Sequence, residues 1–119
     1  MTKRNQYFEM HAGETVDLNV VVTDKATKSR KNLAGAAITW VLYDEAAESA
    51  VLTKSTATVG DITNIDGLNG LFTVALAPAD TANVAPGTYY HESEVIDSGG
   101  AVSVVLTGQV KIFANRAGS

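Results

Sequence analysis

Residues 36–42 read Ala36-Ala37-Ile38-Thr39-Trp40-Val41-Leu42, with apolar side chains at every second position from Ala36 to Leu42. Side chains of a β-strand alternate between its two faces, so a repeat of two residues predicts a strand with one buried face. Trp40 is the single tryptophan of the chain. Its place in the alternating set predicts that the indole lies in the hydrophobic core.

The same alternation recurs in three further segments. Its apolar members are Val16, Leu18, Val20 and Val22 in the first, Phe72, Val74 and Leu76 in the second, and Val102, Val104, Leu106, Val110 and Ile112 in the third. Pairing these strands one residue out of register would turn each apolar set towards solvent. We therefore expect each set to face inward in a well-defined register.

Turn signals divide the chain into seven or eight short strands. We expect strands near residues 5–11, 15–23, 36–43, 50–57, 61–65, 70–77, 88–97 and 101–113. Asp97-Ser98-Gly99-Gly100 predicts a hairpin between the last two strands, and residues 78–83 predict a single helical turn. Many short strands without a long helical repeat are typical of two antiparallel sheets packed face to face.

Two details favour an immunoglobulin-like sandwich. Such sandwiches pack a central indole on the third strand, where Trp40 falls. The run from Asp80 to Tyr90 is similar to the corner at which a tyrosine hydroxyl bonds back to nearby backbone, so Tyr89 is either that corner tyrosine or simply a core aromatic residue. We predict an all-β, immunoglobulin-like antiparallel β-sandwich that forms one domain over residues 1–119, with its core at about residues 12–113.

The composition limits the environment and the partners. The chain has no cysteine, which excludes disulfides, thiolate zinc sites and a cysteine nucleophile, and fits folding in a bacterial cytoplasm. The first six residues lack the apolar core of a signal peptide, and no apolar run is long enough to span a membrane. The formal net charge of −4 disfavours nucleic acid. We expect a soluble protein that binds neither nucleic acid nor membranes.

Positive charge is concentrated towards the N-terminal end. Residues 1–31 contain six lysines and arginines against four acidic residues, whereas residues 32–119 contain three against nine. The cluster consists of Lys25, Lys28, Arg30 and Lys31, and no aromatic residue interleaves with it. It is either a contact for an acidic protein surface or a solvated loop.

No group of residues indicates an active site or a cofactor. The chain lacks the nucleophile-elbow, phosphate-loop and zinc-protease motifs, and His91 is expected to be a neutral, hydrogen-bonded strand residue. Glu92 and Glu94 share a strand face at about 7 Å, which suits an inverting glycosidase but equally a solvent-facing stripe. Residues 61–70 are rich in side chains whose oxygen atoms could bind calcium. However, Ile62 occupies the first position of a calcium loop, where an acid is needed, and no glutamate ends the segment, which favours a turn. We predict a protein without enzymatic activity, cofactor or metal.

The order of the strand and turn motifs is itself informative. The motifs are Ala12-Gly13-Glu14-Thr15, Leu33-Ala34-Gly35-Ala36, Ile38-Thr39-Trp40, Gly70-Leu71-Phe72-Thr73-Val74, Ala79-Asp80-Thr81, Pro86-Gly87-Thr88-Tyr89-Tyr90, Glu94-Val95, Asp97-Ser98-Gly99-Gly100 and Leu106-Thr107-Gly108. Their order and spacing over residues 12–113 resemble a diffuse family of immunoglobulin-like phage virion domains. That family includes the N-terminal module of upper baseplate proteins and small head- or tail-associated proteins.

The resemblance implies a non-catalytic structural protein of the virion, made in the host cytoplasm. It implies docking on capsid, neck, tail or baseplate subunits, in multiple copies within a symmetric assembly. The contact candidates are Lys3, Arg4, Tyr7, Phe8, Lys25, Lys28, Arg30, Lys31, Phe113 and Arg116. The alternative is a carbohydrate- or host-surface-binding accessory module, which would need exposed aromatic residues on a concave face. Its candidates are Tyr7, Phe8, Tyr43, Tyr90 and Phe113.

Overall fold

Eight strands and one short helix make up the described part of the chain. The computed structural model describes residues 7–22, 33, 35–58, 60–66 and 70–114. The elements are β1 (Phe8–His11), β2 (Val16–Val21), β3 (Ala37–Asp44), β4 (Ser49–Ser55), β5 (Ile62–Asp66), β6 (Leu71–Leu76), α1 (Pro78–Thr81), β7 (Gly87–Ile96) and β8 (Val102–Phe113). Each predicted strand and the predicted helical turn is present.

The strands form two sheets. One has five strands in the order β1-β8-β7-β3-β4, and the other has three in the order β2-β6-β5. Only β1 and β8 run parallel among the described pairs; the other neighbours are antiparallel. Placing β3, β7 and β8 in one sheet and β2, β5 and β6 in the other is the immunoglobulin-like arrangement. The predicted fold class is therefore confirmed.

The core lies between the two sheets. Its largest fully buried side chains include Trp40, Phe72, Ile38, Leu42 and Leu76, all less than 2% exposed. They come from strands of both sheets, which bury one face each because their apolar residues recur with a period of two. The inward sets predicted for residues 36–42 and 72–76 are confirmed.

The inward set predicted for the last strand is wrong at its N-terminal half. Val102 is 59% exposed, whereas Val105 is fully buried. Ser93 pairs with Leu106 but Glu94 pairs with Val104, so Val105 is an extra residue in β8. A bulge of this kind reverses the alternation on one side of it, which turns Val102 and Val104 outward.

The corner before β7 contains the predicted tyrosine bond. The Tyr89 hydroxyl donates to the carbonyl oxygen of Ala85 at 2.5 Å. Tyr89 is also only 6% exposed, so it is both a corner tyrosine and a core residue. In α1, the buried Thr81 Oγ1 accepts a hydrogen bond from the Gly13 N–H at 2.9 Å, which attaches the helix to the turn between β1 and β2.

No helix in the described ranges has the length and apolar character needed to cross a membrane.

A buried lysine connects the two sheets. Lys54 on β4 is 8% exposed, and its Nζ lies 2.7 Å from Asp80 Oδ2 and 3.5 Å from Asp61 Oδ1. Asp80 Oδ2 also accepts the Ala77 N–H at 2.7 Å, at the start of α1, and Asp61 Oδ2 accepts the Ser55 N–H at 3.3 Å. Since Asp61 immediately precedes β5, this ion-pair network joins the five-stranded sheet to the three-stranded sheet and to the helix.

Candidate docking surface

The outward side of the five-stranded sheet carries a row of tyrosines. Tyr43 on β3 pairs with Tyr90 on β7, and Tyr90 pairs with Gln109 on β8. Tyr7 immediately precedes β1 and lies on the same side of that strand as Glu9, because side chains alternate. Tyr7, Tyr90 and Gln109 line one depression. The row therefore crosses four adjacent strands, which lie about 4.8 Å apart.

Two carboxylates lie beside this row. Glu92 is two residues after Tyr90 on the same face of β7, and Glu45 follows β3. The surface contains two adjoining depressions of about 620 Å³ and 320 Å³, and both are lined by Tyr90 and Glu45. We refer to the surface formed by Tyr7, Tyr43, Glu45, Tyr90, Glu92 and Gln109 as the tyrosine face.

Two tyrosine hydroxyls donate to neighbouring carboxylates. The Tyr90 hydroxyl donates to Glu92 Oε1 at 3.3 Å, and the Tyr7 hydroxyl donates to Glu9 Oε2 at 2.5 Å. The hydrogen bond to Glu9 raises the pKa of Tyr7, while burial and then the Glu92 charge raise the pKa of Tyr90. Both hydroxyls are therefore held in their neutral, donating form, and the aromatic rings remain as the apolar part of the surface.

The tyrosine face is acidic. Among the described residues, no lysine or arginine forms an ion pair with Glu9, Glu45 or Glu92. Lys111 pairs with Glu9 in the strand register, yet its Nζ lies 5.5 Å from the centre of the Phe113 ring. The carboxylates are consequently available to an approaching cation.

Buried contacts on the inner side of the sheet hold the tyrosine-bearing strands together. The Trp40 Nε1–H donates to His91 Nδ1 at 3.0 Å, and His91 is 2% exposed. Phe8 packs edge-on against the His91 ring, with 5.1 Å between ring centres. Because Nδ1 accepts a hydrogen bond, it carries no proton. The prediction of a neutral, hydrogen-bonded strand histidine is confirmed, and this bond joins β3 to β7.

Two edge strands also present exposed backbone and apolar side chains. In the described ranges β4 pairs only with β3, and β5 pairs only with β6. Val51 on β4 is 39% exposed and Ile65 on β5 is 47% exposed. The unpaired edge of a strand can accept a further strand from a neighbouring chain.

The predicted contact residues fall into two groups. Seven of them lie outside the described residues: Lys3, Arg4, Lys25, Lys28, Arg30, Lys31 and Arg116. Of the others, Tyr7 is 50% exposed, and Phe113 is partly buried on the outward side near Lys111. Phe8 points inward and packs against the core, so Tyr7 and Phe113 are the two of this group that reach the outer surface.

The residues considered for catalysis and metal binding lie in strand pairs or ion pairs of the fold. Glu92 and Glu94 both point outward on β7 and pair across the strands with Thr107 and Val104. Asp61 contacts Lys54. Within the described residues, no group of three or more histidine, cysteine, aspartate or glutamate side chains is placed to hold a metal ion.

Sequence reasoning did not identify Glu45 and Gln109 as part of a site. Alternation within residues 88–97 is enough to place Tyr90 and Glu92 on one strand face. Their alignment with Tyr43 and Gln109 depends on the pairing of β7 with β3 and β8, which joins residues distant along the chain. No local pattern in the sequence contains that register.

The strand order defines the class of this protein as an immunoglobulin-like β-sandwich. Its five-stranded sheet carries the tyrosine face on the outward side. No protein-family model and no curated protein matches the chain. Among solved structures it is similar to CopC from Methylosinus trichosporium OB3b, at 11% sequence identity and a TM-score of 0.48, over 97% of this chain and 89% of that one. This distant likeness adds no residue to the candidate site.

Proposed function

We propose that the chain is a non-catalytic structural protein of a bacteriophage virion that docks on capsid, neck, tail or baseplate subunits. In this proposal it is made in the host cytoplasm and is present in multiple copies in a symmetric assembly. Its partners are other virion proteins. The support from the sequence is the order of motifs over residues 12–113, which resembles that of phage virion domains.

The structural observation that carries the proposal is the open edge of β4. Its first three residues, Ser49, Ala50 and Val51, are all exposed, and β3 is its sole partner within the described ranges. Addition of a strand to such an edge supplies main-chain hydrogen bonds, while alternate side chains give specificity. Towards the other end of β4 the inward Lys54 is engaged by two carboxylates, whereas the end formed by Ser49, Ala50 and Val51 is exposed and contains a register shift that makes Val51 an extra residue opposite β3.

The absence of catalysis in this proposal is supported by the surroundings of the ionisable groups. His91 Nδ1 is occupied by the Trp40 indole N–H, and Lys54, Asp61 and Asp80 are bound to one another. Glu92 and Glu94 lie on an open sheet face rather than in an enclosed cleft. A general acid or base needs a substrate proton within hydrogen-bond reach and a tuned environment, whereas His91, Lys54, Asp61 and Asp80 are engaged by contacts within the fold.

One observation favours the alternative function of carbohydrate or host-surface binding. The tyrosine row places the exposed ring of Tyr7 and the half-buried rings of Tyr43 and Tyr90 on one side of the sheet, and a sugar-binding platform needs aromatic rings on one face. A glycan-binding screen with the purified protein separates the two functions. Glycan binding without recruitment to particles supports the alternative, and recruitment without glycan binding supports the virion role.

The test of the virion role uses edge variants in particles. Val51→Lys places a charge on the exposed end of β4, whereas Val102→Lys places the same charge on another exposed strand residue away from that edge. We expect Val51→Lys to lower the number of copies per purified particle at least five-fold, and Val102→Lys to leave it unchanged, by quantitative mass spectrometry. Absence of the unaltered protein from purified particles would contradict the proposal.

A second pair of variants tests the predicted basic contact. Reversing the charges of Lys28, Arg30 and Lys31 together is expected to weaken incorporation while the urea midpoint of the purified protein stays the same. Reversing the exposed Asp17 on β2 serves as a control for a charge change elsewhere. Unchanged incorporation of the triple variant would remove these three residues from the interface.

A further inference from the structure

We propose that the tyrosine face binds an extended segment bearing lysine or arginine side chains, supplied by a neighbouring virion protein. This inference rests on the proposed docking function and adds to the β4 edge a second contact surface with a stated partner chemistry. The surface is the outward side of β3, β7, β8 and the residue preceding β1.

The first argument is charge complementarity. Glu9, Glu45 and Glu92 surround the tyrosine row, and they form no ion pair with a lysine or arginine of the described chain. A cation held over an aromatic ring and beside a carboxylate is attracted by both groups. The face therefore suits a cationic partner and disfavours an acidic one.

The second argument concerns hydrogen-bonding capacity. The hydroxyls of Tyr7 and Tyr90 already donate to carboxylates, so the face offers mainly acceptors and ring surfaces. Lysine and arginine side chains contain donors and no acceptor, which matches such a surface. Sugar hydroxyls both donate and accept, and they gain less from a face on which the Tyr7 and Tyr90 donors are already engaged.

The third argument is spacing. The row from Tyr43 through Tyr90 and Gln109 to Tyr7 crosses three strand intervals of about 4.8 Å, or roughly 14 Å in all. In an extended segment, side chains at positions i and i+4 lie on one side and about 13–14 Å apart. Basic residues at i, i+2 and i+4 would therefore reach the carboxylates near Tyr43, Tyr90 and Tyr7.

The test is a titration of the purified full chain with a heptapeptide of alternating glycine and lysine. Binding is followed by the backbone amide resonances of the labelled protein. We expect the largest shifts at Tyr43, Tyr90 and Gln109, and an affinity that falls as salt is added. A neutral hexasaccharide of glucose or of N-acetylglucosamine is titrated in parallel and is expected to produce no shifts at these residues.

Variants assign the binding to particular groups. Glu92→Gln is expected to weaken peptide binding about five-fold, the upper range for one exposed ion pair. The matched loss of one charge in Asp17→Asn, on the opposite sheet, is expected to change it less than two-fold. Tyr90→Phe keeps the ring and should retain most of the binding, whereas Tyr90→Leu should lose about three- to five-fold. Trp40 fluorescence confirms that each variant is folded.

Three results would overturn the inference: no peptide binding, binding that Glu92→Gln and Tyr90→Leu leave unchanged, or hexasaccharide shifts at the tyrosine face without peptide shifts. These outcomes are separable from failure of the virion role, because incorporation is measured in particles and peptide binding is measured with purified protein. Incorporated protein that does not bind the peptide would refute this inference alone.

Discussion

Removal of the Lys54 ammonium group is expected to destabilise the sandwich more than any other loss of a single charge among the described residues. In Lys54→Ala the Asp61 and Asp80 carboxylates, which are 18% and 19% exposed, remain close together without their cation. At an effective dielectric constant of 20, the attractions at 2.7 Å and 3.5 Å are about 6 and 5 kcal/mol before desolvation. Desolvation offsets most of this attraction, but loss of one member of a buried pair typically costs about 3–5 kcal/mol.

We expect the lower end of that range, about 3 kcal/mol of unfolding free energy, because all three side chains keep some exposure to water. With a denaturant slope of about 1.5 kcal/mol per molar urea, the midpoint should fall by about 2 M. The melting temperature should fall by roughly 10 °C. Fluorescence of the buried Trp40 reports both transitions.

The matched control is Lys111→Ala, which removes an exposed strand lysine that lies over the Phe113 ring. Its cost should not exceed about 1 kcal/mol. Neutralising the network together, in Lys54→Met with Asp61→Asn and Asp80→Asn, should recover much of the stability lost in Lys54→Ala. Equal urea midpoints for Lys54→Ala and Lys111→Ala would refute the role of the network.

Three further predictions concern the corner tyrosine and the buried histidine. Tyr89→Phe removes the bond to the Ala85 carbonyl and should lower the unfolding free energy by about 1–2 kcal/mol, whereas Tyr43→Phe should lower it by less than about 0.5 kcal/mol; equal urea midpoints would contradict this. Burial, and then the Asp44 charge, raises the pKa of Tyr89 in the folded protein above 10.0. The stabilisation that Tyr89 gives to the folded state is therefore complete below pH 10.0 and is lost as the pH rises through its folded-state pKa. The urea midpoint should therefore be lower above pH 10 than at pH 9. If Tyr89→Phe shows the same fall in midpoint, groups other than Tyr89 cause it. His91→Leu leaves the Trp40 indole N–H without its acceptor and should cost about 1–3 kcal/mol; an indole proton that stays protected from hydrogen exchange in this variant would show another acceptor.

Much of the fold could be predicted because its determinants are local. The alternation in residues 36–42 specified which face of β3 is buried, and the Asp97–Gly100 turn specified the hairpin. There the Asp97 carboxylate accepts the N–H groups of Gly99 and Ala101, both at 2.9 Å. These features depend on neighbouring residues, so the sequence contains them directly.

The remaining features depend on pairing between distant residues. The bulge at Val105 is defined by where Ser93 and Glu94 pair, and nothing within residues 102–106 indicates it. Lysine side chains on strands are usually exposed. Lys54 is buried because the carboxylates of Asp61 and Asp80, which come from other elements of the fold, neutralise its charge. The tyrosine row likewise exists only after β3, β7 and β8 are assembled.

The central proposal is that this sandwich is a component of a bacteriophage virion. Its most direct test is the copy number of the protein in gradient-purified phage particles from cells in which the protein is made, measured by quantitative mass spectrometry. A constant number greater than one per particle is the predicted result. A protein that is abundant in infected cells but missing from purified particles would contradict the claim.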